Sequence, residues 1–225
     1  MKACIFDLDG VLVDTATYHY MAWKRLALEL GFDFTEVQNE KLKGVSRMHS
    51  LEILLKEGGL SFDEDTKLEL ADKKNHWYCE YIEEMTDREI LPGALRLLQD
   101  LKSNGIRIAL GSASKNAETI LKNTGLLHQF DIIVDGNKIT KAKPDPQVFL
   151  LAAGSLLVKP EECIVFEDAG AGIEAAVNAG MHSVGIGNPA WLHQADIVVP
   201  TLKDISIDKL NNLFHTKGTS HETIH

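Results

Sequence analysis

The sequence predicts an α/β fold in which a doubly wound, Rossmann-like parallel sheet carries an inserted α-helical cap domain. Short aliphatic runs recur along the chain without polar alternation, as expected for parallel strands that are covered on both faces. Helical patterns separate several of these runs, which is the alternation that builds such a sheet. Residues 15–88 break this alternation because they are helical almost throughout.

The apolar runs are the predicted strands, and the helices between them are closed by glycines. The predicted strands span residues 3–6, 106–110, 132–134, 163–166, 183–186 and 197–199. The predicted helices that accompany them span residues 92–103, 114–123 and 172–178, and a further helix follows residues 141–146.

The inserted block follows directly after the first strand. Its helical stretches are residues 18–30, 50–56 and 64–85, with a short non-helical segment near 32–34. The chain leaves the sheet near residues 13–15 and returns near 86–89, so these segments are the predicted hinges. The predicted layout is a core domain at 1–14 and 89–215, a cap domain at 15–88 and a tail at 216–225. The tail is polar and lacks an apolar face, which predicts disorder.

Composition limits the classes of partner. The 225 residues are 44% hydrophobic and 25% charged, which is ordinary for a globular protein, and the net charge of −10 argues against binding nucleic acid. A small phosphorylated ligand remains compatible, because local cations can bind it. No apolar stretch approaches the roughly 18–20 residues of a membrane span, and no signal peptide opens the chain. Three cysteines, an odd number, fit a reducing cytoplasm.

Polar side chains follow three of the predicted strands. In an open parallel sheet, ligands bind at the carboxyl ends of the strands. The groups delivered there are Asp7 and Asp9 after the first strand, Ser112 and Ser114 after the second, and Glu167 and Asp168 after the fourth. Lys143 lies in a loop ahead of a helix. Each of these residues also has a purely structural interpretation, such as an Asp-Gly turn, a helix cap or a solvated lysine.

Asp7 and Asp9 together indicate a cation. Burying a carboxylate is costly unless an opposite charge pairs with it. Two acids, two positions apart at the end of a buried strand, therefore favour a divalent ion such as Mg²⁺, which prefers oxygen ligands.

The run Asp-Leu-Asp-Gly-Val at 7–11 resembles the nucleophile motif of the haloacid-dehalogenase-like superfamily. The order and spacing of the other strand-end groups also resemble the motifs of that superfamily across most of the chain. The resemblance implies that Asp7 is a nucleophile that accepts a phosphoryl group and that Asp9 is the general acid and base. It implies that Lys143 contacts Asp7 and the transferring group, while Ser112 binds phosphoryl oxygens. The implied Mg²⁺ ligands are Asp7, the backbone carbonyl of Asp9, Glu167 and Asp168.

Asp9 narrows the reaction class. A second Asp suits enzymes that protonate an alkoxide leaving group, as phosphatases and phosphomutases do. Such an acid must be protonated part of the time near neutral pH, so we expect exclusion of water to raise the pKa of Asp9.

Residues 42–47 resemble the substrate-specificity loop of the β-phosphoglucomutase family, and that resemblance runs from residue 1 to about 213. It implies conversion of β-D-glucose 1-phosphate to D-glucose 6-phosphate through β-D-glucose 1,6-bisphosphate, the activating intermediate. The sequence does not give the oligomeric state, but a closing cap works well in a monomer. The implied loop residues are Lys43, Gly44, Val45, Ser46 and Arg47. Arg47 would share a distal phosphate site with Ser114, Lys115 and Asn116. Thr15, His19 and Lys74 match positions that couple cap closure to the acid–base Asp, although His19 alone could be an ordinary helix-face histidine.

Two departures from the family pattern and three competing functions accompany this interpretation. Ala169 replaces a usual Ser, and Met48-His49 stand where acidic residues are common. Residues 170–175 formally match a dinucleotide-binding G-x-G-x-x-A motif, but the acidic strand end before them would repel a pyrophosphate. A sugar-phosphate phosphatase would use the same Asp pair, and a non-catalytic protein could bind a phosphosugar at the same strand ends.

Overall fold

A computed structural model describes residues 1–42 and 45–216. The strands in this part of the chain form one six-stranded sheet. Every neighbouring pair of strands is parallel, in the order β3-β2-β1-β4-β5-β6. The strands are β1 Ala3–Phe6, β2 Arg107–Gly111, β3 Ile132–Val134, β4 Cys163–Glu167, β5 His182–Ile186 and β6 Ile197–Val199. All six predicted strands are confirmed, and their ends differ from the prediction by at most one residue.

Five of the described helices lie between β1 and β2, and the others follow or separate the remaining strands. The helices are α1 Ala16–Glu29, α2 Glu36–Asn39, α3 Arg47–Glu57, α4 Glu64–Glu83, α5 Ala94–Ser103, α6 Ala117–Asn123, α7 Gln147–Ser155, α8 Gly170–Asn178 and α9 Ile207–Thr216. Among the residues described, none of these helices combines the length and the apolar character needed to cross a bilayer. We call α1–α4 the helical block, and we propose for it the domain boundaries given above.

One predicted helix boundary is corrected. The helix expected from residue 114 begins at Ala117, because the Ser114 hydroxyl accepts a hydrogen bond from the Asn116 amide (3.3 Å) and holds the chain in a loop. Thr216, the first residue of the predicted tail, is the last residue of α9, and the rest of that tail, residues 217–225, lies outside the described part. The segment near 32–34 is non-helical, as expected, and the Tyr20 hydroxyl donates a hydrogen bond to the Phe34 carbonyl there (3.2 Å).

Both faces of the sheet are buried, which explains the uninterrupted apolar strands. On β1, Cys4 and Phe6 belong to the same apolar cluster as residues of α5 and α6, while Ala3 and Ile5 belong to the cluster that contains residues of α7 and α8 on the other face. The rings of Phe6 and Phe166 stack with their centroids 4.4 Å apart. Packing on both faces fixes the register of β1 and β4, and so fixes where the carboxylates after them emerge.

The helical block is joined to the sheet by two chain segments that pair with each other. Val13 forms an antiparallel bridge with Ile90. The Asp14 amide donates to the Glu89 carbonyl, and the Leu91 amide donates to the Leu12 carbonyl, both at 2.9 Å. We call residues 12–14 and 89–91 the connecting ribbon.

Candidate active site

The carboxyl ends of the central strands bring three carboxylates together. Ligand atoms of Asp7, Glu167 and Asp168 lie within 4.8 Å of one another. Lys143 Nζ donates to Asp7 Oδ1 at 2.6 Å and also to Glu167 Oε1. Asp7 is only 7% exposed and Glu167 only 1%, so this cluster of charge lies inside the protein.

Two glycines make room for these carboxylates. Gly10 has a φ of +75°, and a Cβ there would lie 2.1 Å from Asp168 Oδ2. A Cβ on Gly172 would lie 2.0 Å from the Glu167 carboxyl group. Gly172 is the second glycine of the formal dinucleotide motif. A larger residue would not fit there, because the Glu167 carboxylate occupies the space over the start of α8. This arrangement contradicts dinucleotide binding at that motif.

The cluster carries more negative charge than its lysine balances. Burial, and then mutual repulsion among the carboxylates, raises the pKa of Asp168. Burial raises the pKa of Glu167 despite its contact with Lys143. Burial opposes the Lys143 ammonium, but the charges of Asp7 and Glu167 outweigh it and hold the pKa of that lysine above its usual value. Three hard oxygen donors with uncompensated charge are a donor set that suits a divalent cation.

Asp9 lies in a different environment. Its carboxylate accepts a hydrogen bond from the Thr15 hydroxyl. Burial, followed by repulsion from Asp7, raises the pKa of Asp9 to about 6, which is the direction expected from the sequence. Its side chain is not among the clustered carboxylates, and its part in metal binding through the backbone carbonyl remains a proposal.

His19 and Lys74 come together from α1 and α4. Lys74 Nζ donates to His19 Nδ1 at 3.0 Å, and the His19 ring stacks on Tyr78 with centroids 4.1 Å apart. Burial lowers the pKa of His19 well below its ordinary value and the pKa of Lys74 to about 7. His19 is therefore a neutral acceptor in a polar contact between helices rather than a solvated helix-face residue.

Ser112, Ser114, Lys115 and Asn116 form one loop between β2 and α6. The Ser112 amide donates to the Val134 carbonyl (3.0 Å), and the Ser114 amide donates to the Ser112 hydroxyl (3.1 Å). Sequence reasoning did not identify the turn that supports this loop from the end of β3. In that turn the Gly136 amide donates to the Ser114 carbonyl and Asn137 Nδ2 donates to the Lys115 carbonyl, both at 3.0 Å. Its signal, Asp135-Gly136-Asn137 directly after an apolar run, is present in the sequence.

The predicted specificity loop ends at the start of α3. The Ser46 hydroxyl accepts from the His49 amide (3.3 Å) and caps that helix, and Arg47 Nη1 lies 3.7 Å from Asp72 Oδ1. After burial, the Arg47 charge is the next cause of the lowered pKa of Lys74, so the loop faces the same region. Val45 is exposed, and Lys43 and Gly44 lie outside the described residues.

Ala169 and Met48-His49, which depart from the family pattern, lie at different distances from the clustered carboxylates. The Ala169 amide donates to Glu167 Oε2 at 3.1 Å, so the backbone contacts this carboxylate even though the side chain has no hydroxyl. Met48 packs against the apolar core, and His49 Nδ1 lies 3.4 Å from Glu52 Oε2 on the surface of α3.

Comparisons with known proteins agree with this geometry. The family model for haloacid dehalogenase-like hydrolases matches residues 1–180. The chain is 44% identical to β-phosphoglucomutase of Bacillus subtilis over 94% of each protein. It is 33% identical to the phosphorylated carbohydrates phosphatase of Thermotoga maritima over 82% of this chain and 84% of that protein. The crystal structure of β-phosphoglucomutase from Clostridium difficile superposes with a TM-score of 0.89 at 45% identity, covering 96% of this chain and 98% of that one. The chain belongs to the haloacid dehalogenase-like hydrolase family.

Proposed function

We propose that this enzyme is a phosphomutase that converts β-D-glucose 1-phosphate to D-glucose 6-phosphate through β-D-glucose 1,6-bisphosphate. The observation that carries the proposal is the contrast between two neighbouring acids. Asp7 is paired with the Lys143 ammonium (2.6 Å), whereas Asp9 is half-buried, accepts a hydrogen bond from Thr15 and has a pKa of about 6. Two carboxyl groups in such different environments suit a nucleophile and a general acid–base. The similarity to two β-phosphoglucomutases over almost the whole chain supports the choice of substrate.

Each half-reaction moves one phosphoryl group and one proton. In the first, the Asp7–phosphorus bond of the phosphoenzyme breaks, a bond from sugar O6 to phosphorus forms, and Asp9 accepts the O6 proton. In the second, after the bisphosphate has turned end for end, Asp7 attacks the phosphorus on O1, the O1–phosphorus bond breaks, and Asp9 returns the proton to O1. Lys143 holds the Asp7 carboxylate in place for both steps, and we assign Ser112 to the phosphoryl oxygens.

The family implies a metal ion, and we propose Mg²⁺. Asp7, Glu167, Asp168 and the backbone carbonyl of Asp9 would hold it, and the bound ion would offset the charge of the nucleophile and the phosphoryl group. We further propose a distal phosphate site formed by Arg47, Ser114, Lys115 and Asn116.

We also propose that the enzyme is a monomer and lies in the cytoplasm. It acts on a small phosphorylated sugar and requires neither nucleic acid nor membrane. All three cysteines are free, which is consistent with a reducing compartment.

A sugar-phosphate phosphatase is the second candidate. It would use the same Asp pair with water as the phosphoryl acceptor, and the similarity to the Thermotoga maritima phosphatase is the observation in its favour. That similarity is weaker than the similarity to the β-phosphoglucomutases.

The discriminating experiment supplies β-glucose 1-phosphate with and without catalytic bisphosphate, and measures glucose 6-phosphate against free phosphate. We expect glucose 6-phosphate to dominate and to depend on the bisphosphate. Dominant phosphate release would instead establish the phosphatase. Asp7→Asn should remove either activity.

Arg47→Ala tests the distal site. Loss of a charge-assisted phosphate contact should lower mutase kcat/KM about 10- to 100-fold while sparing hydrolysis of a small phosphate ester. Arg25→Ala is the matched control, because Arg25 is an exposed arginine of the same helical block that lies over the Trp77 ring. Equal losses of both activities in Arg47→Ala would contradict the assignment.

A further inference from the structure

The helical block contacts the sheet-bearing part of the molecule where α4 packs against α6. Asn75, Cys79 and Ile82 are spaced at i, i+4 and i+7 on α4, so they share one face of that helix. This face meets Asn116, which precedes α6, and Asn123, the last residue of α6. The interface therefore joins the block to the loop in which we place the distal phosphate site.

Three side chains at this interface form a closed ring of hydrogen bonds. Asn75 Nδ2 donates to Cys79 Sγ (3.7 Å), Cys79 Sγ donates to Asn116 Oδ1 (3.6 Å), and Asn116 Nδ2 donates to Asn75 Oδ1 (3.4 Å). Each member both donates and accepts, so the ring has one consistent direction. The two longer contacts involve sulfur, a weak donor and acceptor whose hydrogen bonds are long.

The ring fixes the orientation of the Asn116 amide. Its nitrogen faces the Asn75 oxygen and its oxygen faces Cys79, and with Asn75 in this orientation the reverse orientation of the Asn116 amide would place two acceptor oxygens against each other. The ring uses one of the two hydrogens on Asn116 Nδ2, which leaves the second for a phosphoryl oxygen. The Asn116 backbone amide is held separately by the Ser114 hydroxyl.

We propose that Asn75 and Cys79 are positioning residues of the distal phosphate site. They align the Asn116 amide when α4 is seated on α6, and in this way they couple seating of the helical block to binding of the second phosphate. The inference rests on the proposed function, because it concerns the phosphate that β-glucose 1-phosphate places away from Asp7.

The same interface provides an internal control. Asn123 Nδ2 donates to the Ile82 carbonyl at 2.9 Å, which is a second contact between α6 and α4 at the opposite end of α6 from the phosphate loop. If the ring serves only to tether the block, then Asn123→Ala should affect catalysis as strongly as loss of the ring.

The experiment measures KM and kcat for β-glucose 1-phosphate at saturating bisphosphate. We expect Cys79→Ala and Asn75→Ala to raise KM about five-fold, the effect of one lost hydrogen bond, with little change in kcat. Cys79→Ser retains a donor and should keep KM within about two-fold of wild type. Asn123→Ala should leave KM unchanged, and none of the variants should alter hydrolysis of acetyl phosphate, which has no second phosphate.

An unchanged KM in both Cys79→Ala and Asn75→Ala would overturn the inference, as would an equal rise in Asn123→Ala. Failure of the wild-type enzyme to form glucose 6-phosphate would instead refute the proposed function and is recognised separately.

A second measurement, chemical modification of Cys79, needs no substitution. Cys4 and Cys163 are buried, so a maleimide should modify Cys79, and glucose 1,6-bisphosphate should slow that reaction. Modification at the same rate with and without bisphosphate would count against the coupling.

Discussion

At the scale of one residue, Lys74 of the candidate active site lowers the stability of the fold because its charged group is buried. The side chain is 3% exposed, and its ammonium lies 4.6 Å from the centroid of Trp23 and 4.7 Å from that of Tyr78. These rings and neutral His19 stabilise the ammonium less well than water does. Burial therefore lowers the pKa of Lys74 to about 7. A methionine of similar length would pack there without that penalty.

We therefore expect Lys74→Met to stabilise the fold while it reduces turnover. The folded-state pKa of about 7 lies below the ordinary value of 10.5, so the charged lysine destabilises the native state fully below pH 7, and this effect disappears as the pH rises to 10.5. The gain in free energy of unfolding should be about 1–4 kcal/mol at pH 6 and smaller at pH 9.5, measured by urea unfolding. Lys73→Met, at a half-exposed neighbour, is the control. A gain that does not depend on pH would contradict the explanation.

The strand-end residues were predictable because each follows a local pattern. An apolar run announces a strand, and the polar residues after it must emerge at the same edge of the sheet. That rule is sufficient to bring Asp7, Glu167 and Asp168 together. It could not reveal Asn75 and Cys79, because the role we propose for them depends on the packing of α4 on α6, a contact between distant segments that no periodicity encodes.

At the scale of elements, the end of α7 contains an unfavourable residue. Leu157 follows the C-cap of that helix with a φ of +57°, and its amide donates to the Gly154 carbonyl at 3.0 Å. The side chain is 89% exposed, so it gains no packing in return for the strained backbone. Glycine or asparagine is the usual residue in this left-handed position.

Leu157→Asn should raise the free energy of unfolding by about 0.5–1 kcal/mol, because asparagine adopts left-handed backbone angles at lower cost than leucine. Thermal and urea unfolding would measure the change. Leu150→Asn is the matched control, since Leu150 is an exposed leucine within the right-handed part of α7 and should lose stability through lower helix propensity. A loss of stability in both variants would refute the strain at Leu157.

The elements that the sequence analysis left out differ in why they were missed. α2 has only four residues, too few for a helical period. α9 does carry a signal: Ile207, Leu210 and Phe214 recur at helical spacing after Ser206, whose hydroxyl accepts from the Lys209 amide (3.3 Å). The sequence therefore contains enough information to predict α9, whereas it does not contain enough to predict α2.

At the scale of the whole molecule, three carboxylates are clustered where the central strands end. The chain carries a net charge of −10, and its clustered buried carboxylates add to a negative field that one lysine only partly offsets. Stability without metal should therefore depend on protons in the cluster.

We expect the metal-free protein to lose stability as the pH rises from about 4 to about 8. Burial raises the pKa of Asp168 from 3.8 to about 8, so the folded state binds more protons than the unfolded state across this interval, and its advantage declines as the pH rises. Urea unfolding in EDTA should show a decline that is about 2 kcal/mol larger in wild type than in Asp168→Asn. Added Mg²⁺ should restore the wild type at pH 8. Parallel pH profiles for the two proteins would refute this account.

The connecting ribbon has a geometric consequence for the helical block. Its two segments are hydrogen-bonded to each other through residues 12–14 and 89–91, so the block is attached along one line and not at two separate points. Sliding or twisting the block would break these bonds, whereas rotation about the line would preserve them. Any rotation is therefore confined to a single axis, and the largest displacement falls at the edge of the block farthest from it.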